Sequence, residues 1–190
     1  MSSQLSKRLI APLICLVVVI IVVVLFRGIG FEKYRDNKVV AGEIRRPWDV
    51  FAAQISRPQY LTVAGKTYRG IRGLAPYYLD VPGTNSILFV TQATGDHITF
   101  HLLNLNTKEE VQIDGGTCGF GWGIGGSRKP GEKFTDYIES ADSNRITVAI
   151  HSGDWKETLV LNLVTKSIER VETVYFNASG QVTNRSVRTL

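Results

Sequence analysis

The side chains that could carry chemistry in this 190-residue chain are few. Its three histidines, His97, His101 and His151, could share a metal ion with Asp96 and Asp154, since imidazole and carboxylate groups are ordinary zinc ligands. However, the sequence contains an internal repeat, described below, and none of the histidines recurs at the matching position. Strand-end histidines and turn aspartates explain these residues better, so we predict no metal site.

Cys118 is the one cysteine outside the apolar N-terminal segment, which holds Cys15, so no disulfide within the domain is expected. A histidine could activate its thiol as a nucleophile. The residues around Cys118 carry no local signature of a cysteine enzyme. We therefore predict no catalytic residue and no cofactor. A membrane-tethered hydrolase that uses the loop around Cys118 is the alternative.

A glycine-rich stretch surrounds this cysteine, and eight of the seventeen residues from Gly115 to Gly131 are glycine. The stretch does not have the spacing of a phosphate-binding P-loop. It could hold an anion with its backbone N–H groups or act as a flexible flap, and we favour the flap. Two aromatic and two basic side chains lie in it: Phe120, Trp122, Arg128 and Lys129. Because binding surfaces use such side chains, we predict that the loop binds a protein, a peptide or a glycan.

The N-terminal segment from Leu9 to Phe26 contains no charged residue. As a helix its eighteen residues would extend about 27 Å, close to the roughly 30 Å of a bilayer core. A strand of this length would extend about 59 Å, far beyond the usual strand. Pro12 would lie in the first helical turn, where a missing N–H costs little. We predict an N-terminal tail over 1–8 and a transmembrane helix over 9–27, with the bilayer as partner.

The sequence after the apolar segment lacks the small residues of a signal-peptidase site, so we expect an uncleaved, single-pass membrane protein. Counting Lys and Arg alone slightly favours the C-terminal flank on the cytoplasmic side. A very short N-terminal tail with a large translocated domain is nevertheless the common arrangement. We expect the domain to be extracytoplasmic.

The charges of the remaining chain are unevenly distributed. Residues 28–76 hold nine Lys or Arg and four Asp or Glu, a balance of +5, whereas residues 77–190 hold ten and thirteen, a balance of −3. The basic excess next to the membrane suits either attraction to anionic headgroups or a solvated linker. A nucleic-acid surface would need basic residues on the folded domain, so we predict no nucleic-acid partner.

Residues 28–58 are polar and without a clear period, and we interpret them as a juxtamembrane linker. Pro47 favours a short helix through Ile55 within this linker. Residues 59–71 alternate around a turn at Ala64-Gly65-Lys66, which indicates a β-hairpin. We predict an all-β domain over 59–190.

From residue 77 onward the sequence repeats itself. LNLNTK at 103–108 recurs as LNLVTK at 161–166, and the dipeptide Gly95-Asp96 recurs as Gly153-Asp154, both at an offset of 58. The repeat units, 77–114 and 134–174, each predict an antiparallel meander of four strands. Asn104 and Asn162 alternate with leucines, which predicts outward-facing positions within a strand. The predicted strands are 77–81, 86–92, 98–105 and 110–113, then 134–139, 145–151, 158–163 and 168–176, with a last strand at 181–187.

Two tandem meanders of this kind resemble the blades of TolB-type or WD-type β-propellers, and the segments LNLNTKEE and LNLVTKSIE are similar to their strand-and-turn sequence. Propellers close with about four to eight blades, and only two units are visible here. Either the two sheets pack as a sandwich, or a partial propeller is completed by flanking hairpins or another subunit. The resemblance implies a mainly β protein that binds through loops and edges, in a binding or structural and assembly role, more than an enzyme.

Overall fold

A computed structural model describes residues 2–46, 59–72, 78–92, 97–117 and 135–190 of the chain. These residues form one α-helix followed by strands, so the mainly β fold class is confirmed. The elements are α1 Ser2–Arg27, β1 Ile29–Arg35, β2 Val39–Arg45, β3 Gln59–Val63, β4 Lys66–Arg69, β5 Ile71–Arg72, β6 Leu79–Val81, β7 Ser86–Gln92, β8 His97–Asn104, β9 Glu110–Thr117, β10 Thr135–Ala141, β11 Arg145–Ser152, β12 Trp155–Asn162, β13 Ser167–Phe176 and β14 Val182–Thr189.

Helix α1 covers the predicted helical segment and begins earlier, at Ser2. Pro12 therefore lies inside the helix and not in its first turn. The side chains described between Pro12 and Val23 are all exposed. Within the described residues, no helix is long and apolar enough to cross a membrane. This finding does not support the transmembrane prediction for residues 9–27, although the helix itself is present.

Strands β1 and β2 occupy the segment predicted as a juxtamembrane linker, so that prediction is wrong for residues 29–45. The two strands pair in antiparallel fashion, and Val39 and Ala41 of β2 are buried. Asp36 closes their turn, because its Oδ1 accepts the N–H groups of Lys38 and Val39 at 2.8 Å. The β domain thus begins at Ile29, and not at residue 59. The short helix predicted from Pro47 lies outside the described residues.

Strands β3 and β4 form the predicted hairpin over residues 59–71, and β3 also pairs with β2. Ala64 and Gly65 connect them with φ angles of 52° and 83°. Both turn residues are thus left-handed, as a two-residue type I′ hairpin turn requires. The resulting sheet has the order β1-β2-β3-β4.

The two predicted repeat units have the same strand order. Strands β6 to β9 pair successively, and so do β10 to β13. Their last turns also match. The side-chain oxygen of Asn104 accepts hydrogen bonds from the N–H groups of Asn106 and Thr107, and that of Asn162 accepts hydrogen bonds from two N–H groups in its own turn. The asparagines therefore cap turns as the last residues of β8 and β12, and not in the middle of a strand. Their predicted outward-facing position is confirmed, since each alternates with a buried leucine.

The two meanders belong to one ten-stranded sheet, in which β9 meets β13 in parallel at Asp114 and Ser167. Strand β6 of the first meander also lies next to β10 of the second. One apolar core is shared between the meanders and includes Leu88 and Phe100 of the first with Val148 and Leu159 of the second. The free energy of burying these side chains holds the two repeat units together.

Strand β7 lies between two cores because its side chains alternate. Leu88 and Val90 face the core shared by the meanders, whereas Ile87 and Phe89 face a second core. The four-stranded sheet covers that second core with Leu61 and other residues. A strand buried on both faces explains the uninterrupted apolar sequence ILFV. The four-stranded sheet and the second meander thus lie on opposite faces of the first meander.

Candidate functional site

The residues predicted to bind a partner, Phe120, Trp122, Arg128 and Lys129, lie outside the described residues, and so does Cys118. The residues immediately before them are described, and their structure differs from the prediction. Strand β9 continues through Gly115 and Gly116 to Thr117, so the predicted loop begins later than residue 115. Gly115 is buried, and a Cβ atom there would lie 2.4 Å from Cγ1 of Ile98. This glycine is therefore required by close packing.

The three histidines lie in different environments. His97 Nε2 lies 3.2 Å from Asp114 Oδ1 at the surface. The ring of His151 lies beside Phe176, with centroids 6.2 Å apart. His101 is buried in the second core. Among the described residues, no three histidine, cysteine or acidic side chains converge to hold a metal ion.

The most developed polar cluster in the described residues surrounds Glu110, at the start of β9. Its Oε1 lies 2.7 Å from Nδ1 of His101, and its Oε2 accepts from the Tyr68 hydroxyl at 2.9 Å and from Lys66 Nζ at 2.5 Å. Lys66 and Tyr68 belong to β4, whereas His101 and Glu110 belong to the first meander. Glu110 therefore connects the four-stranded sheet to the first meander.

Aromatic rings enclose this cluster. The imidazole of His101 stacks on Phe89 with centroids 4.9 Å apart and planes 5° from parallel. Tyr68 meets both rings edge-on, at 4.7 Å from Phe89 and 5.4 Å from His101. The side chain of His101 is only 7% exposed and that of Glu110 only 12%. The interaction between Glu110 and His101 is consequently screened little by water, whereas the ion pair with Lys66, whose side chain is 59% exposed, is screened more.

These surroundings change the acidity of the buried groups. Burial alone would raise the pKa of Glu110, but hydrogen bonds from Lys66, His101 and Tyr68 outweigh it and hold that pKa at about 2. Burial lowers the pKa of His101, against a smaller opposing effect of Glu110. At neutral pH the carboxylate is therefore charged and the imidazole neutral. Because a carboxylate only accepts hydrogen bonds, Nδ1 of His101 carries the proton.

On the other side of the neutral imidazole, Nε2 accepts a hydrogen bond from the hydroxyl of Thr91, whose Oγ1 lies 2.6 Å away. Thr91, His101 and Glu110 stand in the order of a hydroxyl–imidazole–carboxylate relay. Two features oppose a catalytic role. The carboxylate is already neutralised by Lys66, and the imidazole is closed in by Phe89 and Tyr68. We assign the cluster to joining the two sheets.

Sequence reasoning missed this cluster, although part of it was recognisable. The predicted strands 98–105 and 110–113 imply that residue 105 lies opposite Glu110, whereas the structure pairs Leu103 with Glu110, a register two residues away that keeps the same faces. In that register His101 and Glu110 share one face of the sheet. Lys66 and Tyr68 are more than forty residues away in the chain, and no local pattern relates them to Glu110.

The second notable region is the junction between helix α1 and the sheet. Only Gly28 separates Arg27 from Ile29, and it adopts a φ of 72°. A Cβ atom on Gly28 would lie 2.7 Å from Cγ2 of Ile44 and 2.9 Å from the carbonyl oxygen of Arg45. Glycine is thus required both by conformation and by space. The helix leads directly into the four-stranded sheet.

Neither a scan against protein-family models nor a search of curated proteins finds a match to this chain. The propeller resemblance therefore stays a prediction.

Proposed function

We propose that the chain is a single-pass membrane protein whose β domain, on the extracytoplasmic side, acts as a binding or assembly module. The observation that carries this proposal is the surface of helix α1. Every side chain from Pro12 to Val23 is exposed, and the larger ones, such as Leu13 at 61% and Val19 at 58%, are apolar. No other described element presents a comparable apolar surface to its surroundings.

The hydrophobic effect explains why such a helix needs a covering. Burying one Leu, Ile or Val side chain contributes about 1.5–3 kcal/mol, and ten large apolar side chains between Leu13 and Val23 are exposed. A lipid bilayer removes all of them from water without requiring a shaped partner. Lys7 and Arg8 before the apolar segment, and Arg27 after it, suit the headgroup regions on its two sides.

The insertion of α1 is tested by placing charges in its middle. Replacing Val17, Ile20 and Val23 together with Arg should greatly reduce flotation of the full chain with phosphatidylcholine vesicles, because each arginine costs about 2.5–3.5 kcal/mol or more and also removes an apolar side chain. The matched control replaces Val164, Val182 and Val187 with Arg, since these β-domain residues are 70%, 59% and 47% exposed. If the helix variant floats as well as the parent chain, the helix does not span the bilayer.

The binding role rests on the aromatic and basic composition of the predicted loop that holds Trp122. Trp122→Ala should weaken cross-linking of a specific partner in native membranes while the domain keeps its thermal stability. Trp155 provides a contrast because it packs against the core shared by the meanders, so Trp155→Ala should lower stability. If Trp122→Ala unfolds the domain, the loop is structural. If Cys118→Ser removes a hydrolytic activity, the alternative function is correct.

The two meanders provide further support for a module of repeated units. They have the same strand order, and corresponding lysines in their last turns, Lys108 and Lys166, adopt φ angles of 65° and 55°. We propose that they are tandem copies of one blade-like unit arranged face to face. Exposed edges and loops of such units are the usual binding surfaces.

A further inference from the structure

We propose that the helix-proximal end of β1 and β2 lies on the bilayer surface and binds anionic phospholipid headgroups, with Phe31 and Arg45 as its central contacts. The proposal rests on the proposed membrane insertion of α1. It adds which face of the domain meets the lipid and which class of lipid it prefers.

The first argument is distance along the chain. Because one glycine separates the helix from β1, Ile29 and Phe31 follow the end of the apolar helix by two and four residues. A strand rises only about 3.3 Å per residue, so these side chains remain within roughly 15 Å of the helix end. The tight packing of Gly28 against Ile44 fixes this connection to the sheet.

The second argument is the exposure of apolar side chains at this end of the sheet. Ile29 is 50% exposed and Phe31 is 41% exposed, whereas Ala41 and Leu61 farther along the sheet are fully buried. Phe31 is paired with Glu43 and Ile29 with Arg45, so these four side chains lie on one face. This end of the sheet therefore presents an apolar and charged surface beside the helix.

The third argument is charge. The guanidinium of Arg45 lies 4.6 Å from the centroid of the Phe31 ring and 3.6 Å from a carboxylate oxygen of Glu43. Lys33 Nζ lies 3.9 Å from the same carboxylate, and Arg27 is exposed at the helix end. Two cations thus lie within 4 Å of one carboxylate, and a third ends the adjoining helix. An aromatic ring between basic groups suits the headgroup layer, where the ring meets acyl chains and the cations meet phosphates.

Fluorescence quenching tests the contact in the full chain. Phe31→Trp, reconstituted into vesicles with brominated acyl chains, should show strong quenching beyond that of the native tryptophans in the parent chain. Val187→Trp is the matched control because Val187 is a strand residue on β14 with a similar exposure of 47%. The quenching of Phe31→Trp should increase when phosphatidylglycerol is added to phosphatidylcholine, and Arg45→Ser in the same background should remove that increase.

Each other outcome has a defined meaning. Quenching of Phe31→Trp no stronger than that of Val187→Trp overturns the proposal, as does quenching that is equal with and without phosphatidylglycerol. Flotation of the same samples distinguishes failure of the proposed anchor from failure of this inference. A chain that floats without quenching at Phe31 retains its proposed anchor and loses only this inference, whereas a chain that does not float loses both. Circular dichroism of each variant establishes that its sheets are intact.

Discussion

Replacing Glu110 with Gln removes the charge at the centre of the polar cluster and keeps the shape of the side chain. Glu110 has a pKa of about 2, against 4.5 for an ordinary glutamate. A difference of this size corresponds to at most about 3.5 kcal/mol of stability at neutral pH, since one pKa unit is worth about 1.4 kcal/mol. Lys66, the main donor that lowers this pKa, is 59% exposed, so water screens part of that stabilisation. We expect Glu110→Gln to lower the free energy of unfolding by ~2 kcal/mol at pH 7.

The lowered pKa of Glu110 also determines how the stability difference changes with pH. Because the pKa of Glu110 is lower in the folded state, its stabilising effect is complete above about pH 4.5 and is lost as the pH falls toward 2. The difference between the parent chain and Glu110→Gln should therefore shrink over that range. The lowered pKa of His101 adds a separate loss of stability in the parent as the pH falls below about 6.5, because only the unfolded chain then takes up the proton.

The assay is urea unfolding of the full chain in detergent micelles, followed by circular dichroism of the strands at several pH values. Glu109→Gln is the control, since Glu109 is exposed in the preceding turn and accepts only a surface hydrogen bond from Thr107 at 3.0 Å. This control should change stability by less than ~0.5 kcal/mol. If Glu110→Gln is no less stable than Glu109→Gln at pH 7, the cluster does not join the sheets as described.

Two packing predictions use the same unfolding measurement. Leu161→Ala should lower the free energy of unfolding by about 2–5 kcal/mol because Leu161 is fully buried in the core shared by the meanders, and a loss equal to that of the exposed Val164→Ala would contradict this. Gly42→Ala should cost about 1–3 kcal/mol or more, because the new Cβ atom would lie 2.1 Å from the carbonyl oxygen of Phe31. Gly153→Ala is its control, with no atom within 4 Å of the added carbon, and equal stability of these two variants would refute the predicted clash.

The strands of the meanders were predictable because their signal is local. Strand β7 has the predicted bounds, since its apolar run lies between two sequence stretches rich in Gly, Asn and Thr. The β3–β4 hairpin was predictable for the same reason, because Ala64-Gly65 marks its turn. The paired meander order followed from the repeated sequence.

Other features depend on contacts that no local pattern contains. Strands β1 and β2 resembled a linker because their charges obscure the alternation of Val39 and Ala41, which are buried only against the first meander. Glu110 similarly contacts Lys66 and Tyr68 only because two separate sheets pack together. The asparagine caps were missed because Asn104 and Asn162 each follow a leucine of an alternating strand, and only their hydrogen bonds show that each side chain caps the following turn.

The central claim is that helix α1 holds the chain in a membrane, and alkaline carbonate extraction of membranes containing the full chain tests it most directly. Carbonate strips proteins held by charge but leaves a bilayer-spanning apolar helix in place. We predict that the intact chain stays in the membrane pellet after carbonate and high-salt washes. Recovery of the chain in the supernatant, or of a soluble fragment that begins near Gly28, would contradict the proposed anchor.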